Sequence, residues 1–95
     1  MNIESKLQSE IVKYLRSKGC YVVKTKPGPG IPTGCPDIIF LLEGMWGVIE
    51  VKASSKSSFQ PLQEHTLNRL GQWSYAEVIY PEIWPEMRSE LEAML

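Results

Sequence analysis

The sequence predicts an α/β domain: a four-stranded mixed sheet flanked by helices, in the order α-β-β-β-α-β-α. Three observations carry this. Apolar residues recur at helical spacing near the N-terminus. Three runs rich in β-branched and aromatic residues follow, the last two separated by a Glu-Gly turn. A segment opened by Pro and closed by Gly then leads into one more strand-like run. With 95 residues, 43% of them hydrophobic, the chain is sized for one domain, 1–95, with a thin core.

The first helix is "ESKLQSEIVKYLRSK" (4–18), with Leu7, Ile11, Tyr14 and Leu15 on one stripe and Gly19 as its stop. "CYVVKTK" (20–26) reads as a strand. "PGPGIPTGCP" (27–36) holds too much Pro and Gly for either element and must be a loop. Strands over 36–42 and 46–53 form a hairpin around Glu43-Gly44, and "ASSKSSFQ" is a polar loop. The second helix, 61–71, begins with Pro in its first turn and ends at Gly. "YAEVIY" (75–80) is the last strand and "PEMRSELEAML" (85–95) the last helix. A helical crossover into the fourth strand makes it parallel to its neighbour, with a right-handed connection.

Charge and composition exclude some classes. No apolar run approaches 18 residues, so no transmembrane helix is expected, and the N-terminus lacks a signal-peptide core. Cys20 and Cys35 make neither a disulfide framework nor a metal-ligand spacing, and read as reduced thiols in a cytosolic protein. The net charge of −1 argues against a generic polyanion binder, but residues 1–56 hold eight Lys/Arg against five acids, and residues 57–95 two against six. A basic front half can face nucleic acid while the total stays near zero.

The run "PDIIFLLEGMWGVIEVK" (36–52) places Asp37 and Glu50 at the ends of an apolar hairpin, with Lys52 two residues on. A two-residue turn at Glu43-Gly44 pairs Leu42 with Met45, Ile39 with Val48 and Asp37 with Glu50; a three-residue turn would break this register. The two acids then share a face, and Lys52 shares it with Glu50 because strand side chains alternate. Opposed carboxylates repel, and a hard divalent cation removes the conflict: Mg²⁺ most plausibly, or Mn²⁺. Lys52 could then orient an attacking water or stabilise a pentavalent phosphate. The simpler reading is two acids fraying into solvent with a salt-bridge partner.

"GCPDIIF", "GVIEVK" and "FQPLQEHTLNRLG", in that order, resemble the virus-type replication-repair nuclease (VRR-NUC) domains of the PD-(D/E)xK superfamily. The matching residues are Gly34-Cys35-Pro36-Asp37, Glu50-Val51-Lys52 and Pro61-Leu62-Gln63, with "FQP" where a Leu-Ser-Pro-like sequence is usual. The resemblance spans about residues 4–80. It implies a restriction-endonuclease-like core and Mg²⁺- or Mn²⁺-dependent hydrolysis of DNA phosphodiesters. The implied metal ligands are Asp37, Glu50, Val51 and an acid on the first helix, best matched by Glu10, acting directly or through a bridging water. Gln63, in the first turn of its helix, would cap it or face the metal-bound water. Small stand-alone members resemble phage proteins acting in a host cytoplasm. They are similar in architecture to archaeal Holliday-junction resolvases, dimers that cut two strands of a four-way junction.

Lys24 and Lys26, ahead of the Pro/Gly loop, are expected to contact a DNA strand. His65 is the only histidine and the mechanism does not require it. Trp46, Trp73 and Trp84 are expected in the core or a dimer interface rather than in base stacking. The C-terminal "LEAML" and the aromatics suggest a symmetric homodimer, with the acidic half turned away from DNA. The competing class is a catalytically weak or inactive DNA-binding accessory module of the same fold.

Overall fold

The computed structural model describes residues 2–95. Helix α1 (Ile3–Ser17) starts where the Asn2 side chain accepts a hydrogen bond from the Ser5 N–H at 2.8 Å, and buries Leu7, Ile11, Val12, Tyr14 and Leu15. It stops at Gly19, whose φ of 87° lets the chain turn back. The Gly19 and Cys20 N–H groups then cap the carbonyls of Arg16 and Leu15. Strands β1 (Tyr21–Lys24), β2 (Ile38–Leu42) and β3 (Met45–Val51) form an antiparallel meander; α2 (Pro61–Gly71) crosses over to β4 (Tyr75–Ile79), which pairs parallel with β3. A 3₁₀ turn (Pro81–Ile83), absent from the sequence expectation, leads into α3 (Trp84–Met94).

The sheet order is β1-β2-β3-β4, and the β2–β3 register is Leu42↔Met45 and Ile39↔Val48. Gly44, with φ 81°, is the one residue of the turn pair with positive φ. That fits a type II pattern rather than the type I′ turn, which needs positive φ at both positions. The elements run slightly shorter than the sequence suggested. β1 ends at Lys24, although the Thr25 N–H still reaches the Asp37 carbonyl at 2.9 Å, and Asp37 stands one residue before β2 rather than within it.

Side-chain alternation sorts the sheet into two faces. Ile38, Phe40, Ile49, Val51 and Ile79 join α1 and α3 in the main core. Val48 and Glu50 point the other way, towards α2, whose Leu67 is buried. β3 is therefore covered on both faces from Gly47 to Val51, as its uninterrupted apolar run requires. Trp84 packs in the core, edge-on to Tyr14 at 5.7 Å between ring centroids. Trp46 is half-buried and Trp73 is exposed beneath the Arg69 guanidinium. On the C-terminal helix Met87 and Leu91 are buried and Leu95 packs on the core, while Met94 stays exposed.

Candidate active site

The site forms where the α2 face of the sheet reaches the ends of β2 and β3. Asp37 enters from the loop side of β2, and its Oδ2 accepts the Val51 N–H at 2.8 Å. Val51 thus contributes its N–H, which holds the aspartate against the end of β3. Glu50, one residue earlier on β3, is 3% exposed, the one buried charged residue among those described. Burial first, and the neighbouring Asp37 carboxylate second, push its carboxyl up to about 7, against the opposing pull of the Lys52 ammonium.

Helix α2 supplies the roof. Gln63, in its first turn, uses both ends of its amide. Its Nε2 donates to Glu50 Oε2 at 3.0 Å, and its Oε1 accepts from Lys52 Nζ at 3.1 Å and from the Gln60 N–H at 3.3 Å. Lys52 Nζ lies 3.4 Å from Glu50 Oε2 and 4.9 Å from the centroid of the Phe59 ring. Glu50, Gln63 and Lys52 therefore form a closed triangle at one end of the strand. The other oxygen of Glu50, Oε1, is buried with no hydrogen-bond partner. A buried, unpartnered carboxylate oxygen is costly and calls for a ligand.

Gly34 explains how the Pro/Gly loop meets this roof. Its φ is 85°, and a Cβ there would lie 2.8 Å from the backbone of Leu62, so only glycine lets the loop close onto the start of α2. The loop, Thr25, Asp37, Gln60 and Gln63 line an open groove of about 390 Å³. Lys24 and Lys26 are exposed on either side of Thr25 and take no part in the Lys52–Glu50 ion pair. Burial above all raises the Cys35 thiol, against a hydrogen bond with Thr25, and the nearby Asp37 and Glu50 raise it further. Cys35 therefore stays protonated beside the acids.

The structure brings Asp37, Glu50, Val51, Lys52 and Gln63 together but leaves Glu10 out. Among the described residues no three His, Cys, Asp or Glu side chains gather closely enough to hold an ion. Glu10 is exposed on α1, which packs on the opposite face of the sheet from α2, and it lines cavities with Trp84, Pro85 and Arg88. The expectation that Glu10 completes a ligand set is not what the geometry shows. Glu4, in the first turn of α1, is half-buried together with Gln8 one turn on. A face-by-face reading of the helix would have separated this acid from Glu10. His65 is exposed on α2, outside the hydrogen-bonded triangle.

The donor set fits a hard divalent ion. Two carboxylates, one with an orphaned buried oxygen, are what Mg²⁺ commonly takes from a protein while keeping waters and phosphate oxygens for its remaining positions.

No curated protein matches the chain significantly. A solved structure of a VRR-NUC domain superposes with a TM-score of 0.77 at 19% identity, covering 98% of this chain and 97% of that one. At that identity the likeness establishes the fold: the mixed-sheet nuclease architecture that the sequence resemblance implied. The family model for the archaeal Holliday junction resolvase (Hjc) matches residues 2–83, which takes in the acid pair, the Glu-Val-Lys strand end and the roof helix. The chain therefore belongs to the archaeal Holliday junction resolvase (Hjc) family of nucleases.

Proposed function

We propose that this protein is a divalent-metal-dependent endonuclease that cuts DNA, selectively at branched structures such as four-way junctions, and that it acts as a homodimer. One observation carries the metal-dependent reading: Glu50 is buried against Asp37 with Oε1 unpartnered, an arrangement that is unfavourable without a cation. Membership of a Holliday junction resolvase family and the architecture shared with a VRR-NUC domain support DNA as the substrate class and branched DNA as its form.

Asp37 and Glu50 would hold the ion; Mg²⁺ or Mn²⁺ there would polarise the scissile phosphate and lower the pKa of the attacking water. The remaining work falls to this chain's own groups. Lys52, with its ammonium 3.1 Å from Gln63 Oε1, carries positive charge to the phosphate oxygens as the fifth bond to phosphorus forms. Gln63 sets the direction of both Lys52 and Glu50 through one amide, and is a positioning residue. The N-terminus of α2 adds a partial positive charge on the same side. Lys24 and Lys26 are exposed on either side of Thr25 in the chain and are the candidate contacts to the DNA backbone, and the exposed Gly28 and Gly30 let main chain approach phosphate.

The test is a cleavage panel: labelled duplex, flap, splayed-arm and four-way junction DNA, each with Mg²⁺, Mn²⁺ or chelator. Metal-dependent cuts on the junction well above those on duplex are expected. Equal cutting of all four would remove the structure selectivity. Tight binding without cutting under any metal would leave the accessory-module reading in its place.

A further inference from the structure

The root of the Lys52 side chain is fixed, because its backbone N–H donates to the Ile79 carbonyl at 3.0 Å just past the end of β3. From there a flexible four-carbon stem carries an ammonium with three donors. One donor reaches Gln63 Oε1 at 3.1 Å, and Glu50 Oε2 lies 3.4 Å away. Among the described residues the remaining close partner is not an acceptor but the Phe59 ring. Its centroid is 4.9 Å from Nζ, inside the roughly 6 Å reach of a cation–π contact. Only 13% of the Lys52 side chain is exposed, so the pair is largely desolvated and sits towards the strong end of such contacts.

Phe59 is itself held. It stands immediately before Gln60, the residue that caps α2, and is half-buried. The Gln60 N–H donates to Gln63 Oε1, the same oxygen that accepts from Lys52. The backbone beside the ring and the ammonium that the ring faces are therefore tied to one amide.

The chemistry of this partner differs from the alternatives. A carboxylate in its place would hold the ammonium more tightly, but would compete with phosphate oxygens for the charge. Water in its place would leave a strongly hydrated ammonium on a mobile stem. A ring face attracts the cation through its quadrupole without neutralising it and takes none of its hydrogen bonds.

We propose that Phe59 is a positioning residue for the reaction: its ring face holds the Lys52 ammonium beside Gln63 with its charge free for the phosphate. The role in cutting rests on the nuclease reading; the contact itself does not. Positioning of this kind acts on the chemical step, because it narrows the stem's rotamers before DNA arrives.

Two readouts test it. In metal-free, DNA-free protein, NMR should find the Lys52 ε-protons shifted upfield of those of the exposed Lys24 and Lys56 by the ring current, and Phe59→Leu should remove the shift. With Mg²⁺ and junction DNA both saturating, Phe59→Leu should lower the single-turnover rate about 5- to 30-fold, the size of a partly desolvated cation–π contact. Phe59→Tyr, which keeps the ring face, should restore most of that rate. Mono-, di- and trifluorophenylalanine at position 59 keep the apolar shape while draining the ring face, so the rate should fall stepwise with each fluorine. This series also serves if Phe59→Leu does not fold, as judged by circular dichroism. Unshifted ε-protons in the wild type overturn the proposal. So does a wild-type rate in Phe59→Leu, a loss that Phe59→Tyr shares in full, a flat fluorine series, or a defect that saturating DNA removes, which would make Phe59 a DNA contact. A wild type that cuts no DNA would fail the nuclease reading instead, and the NMR result would still decide whether Phe59 holds Lys52.

Discussion

Glu50→Gln should stabilise the metal-free protein at alkaline pH while removing its activity. In the folded chain the Glu50 carboxyl titrates near 7, raised from 4.5 by burial and then by Asp37. A raised carboxyl means that the folded state holds its proton more tightly than the unfolded state. The resulting stability is fully present below the unfolded pKa of 4.5 and is lost as pH rises through about 7. The difference of about 2.5 pH units corresponds to about 3 kcal/mol. For a domain of this size that is on the order of 10–20 °C in Tm. The assay is thermal melting in chelator from pH 4 to pH 8.5 for wild type and Glu50→Gln. Subtracting the two curves cancels the groups that they share, including Glu77 and Glu92, whose carboxyls shift in opposite directions. The wild type should fall relative to the variant across that window. Adding Mg²⁺ at pH 8 should raise the wild type and leave the variant unmoved. Parallel curves at every pH would refute the account of Glu50 as a strained, cation-seeking acid.

Asp37→Asn should abolish cleavage without lowering the metal-free Tm, since it removes the like charge beside Glu50 while keeping an amide oxygen to accept the Val51 N–H; wild-type rates would sink the site assignment. Lys52→Ala should keep metal affinity, read by calorimetry, while lowering the cleavage rate by about 10²–10³-fold, and an equal loss of metal affinity would make Lys52 structural. Gly34→Ala should cost about 1–3 kcal/mol in urea unfolding, because the new methyl meets the Leu62 backbone at a positive φ; an unchanged midpoint would show that the loop does not rest on α2. Glu10→Gln should leave cleavage near wild type; a loss of cleavage would restore Glu10 to the site.

Much of the frame was legible in the chain. Gly44 and the two apolar runs around it specify the hairpin register: a period of two excludes a one-residue slip, which would take Ile38, Phe40 and Ile49 off one buried face, and the two-residue turn fixes which pairing remains. That register alone brings Asp37 towards Glu50 and aligns Lys52 with Glu50. Pro61 and Gly71 mark the ends of the helix that crosses to β4. Tertiary structure decided the rest. Which face of the sheet α2 covers depends on how the crossover packs, and only that places Gln63 over Glu50, buries the acid and orphans its Oε1. The same packing sets α1 on the opposite face and Glu10 with it, a separation that local spacing does not encode. The aromatic residues look alike along the sequence. Burial alone sorts Trp84 into the core and leaves Tyr21 and Trp73 open to solvent, because a side chain's fate in a thin sheet depends on which helix lies above it.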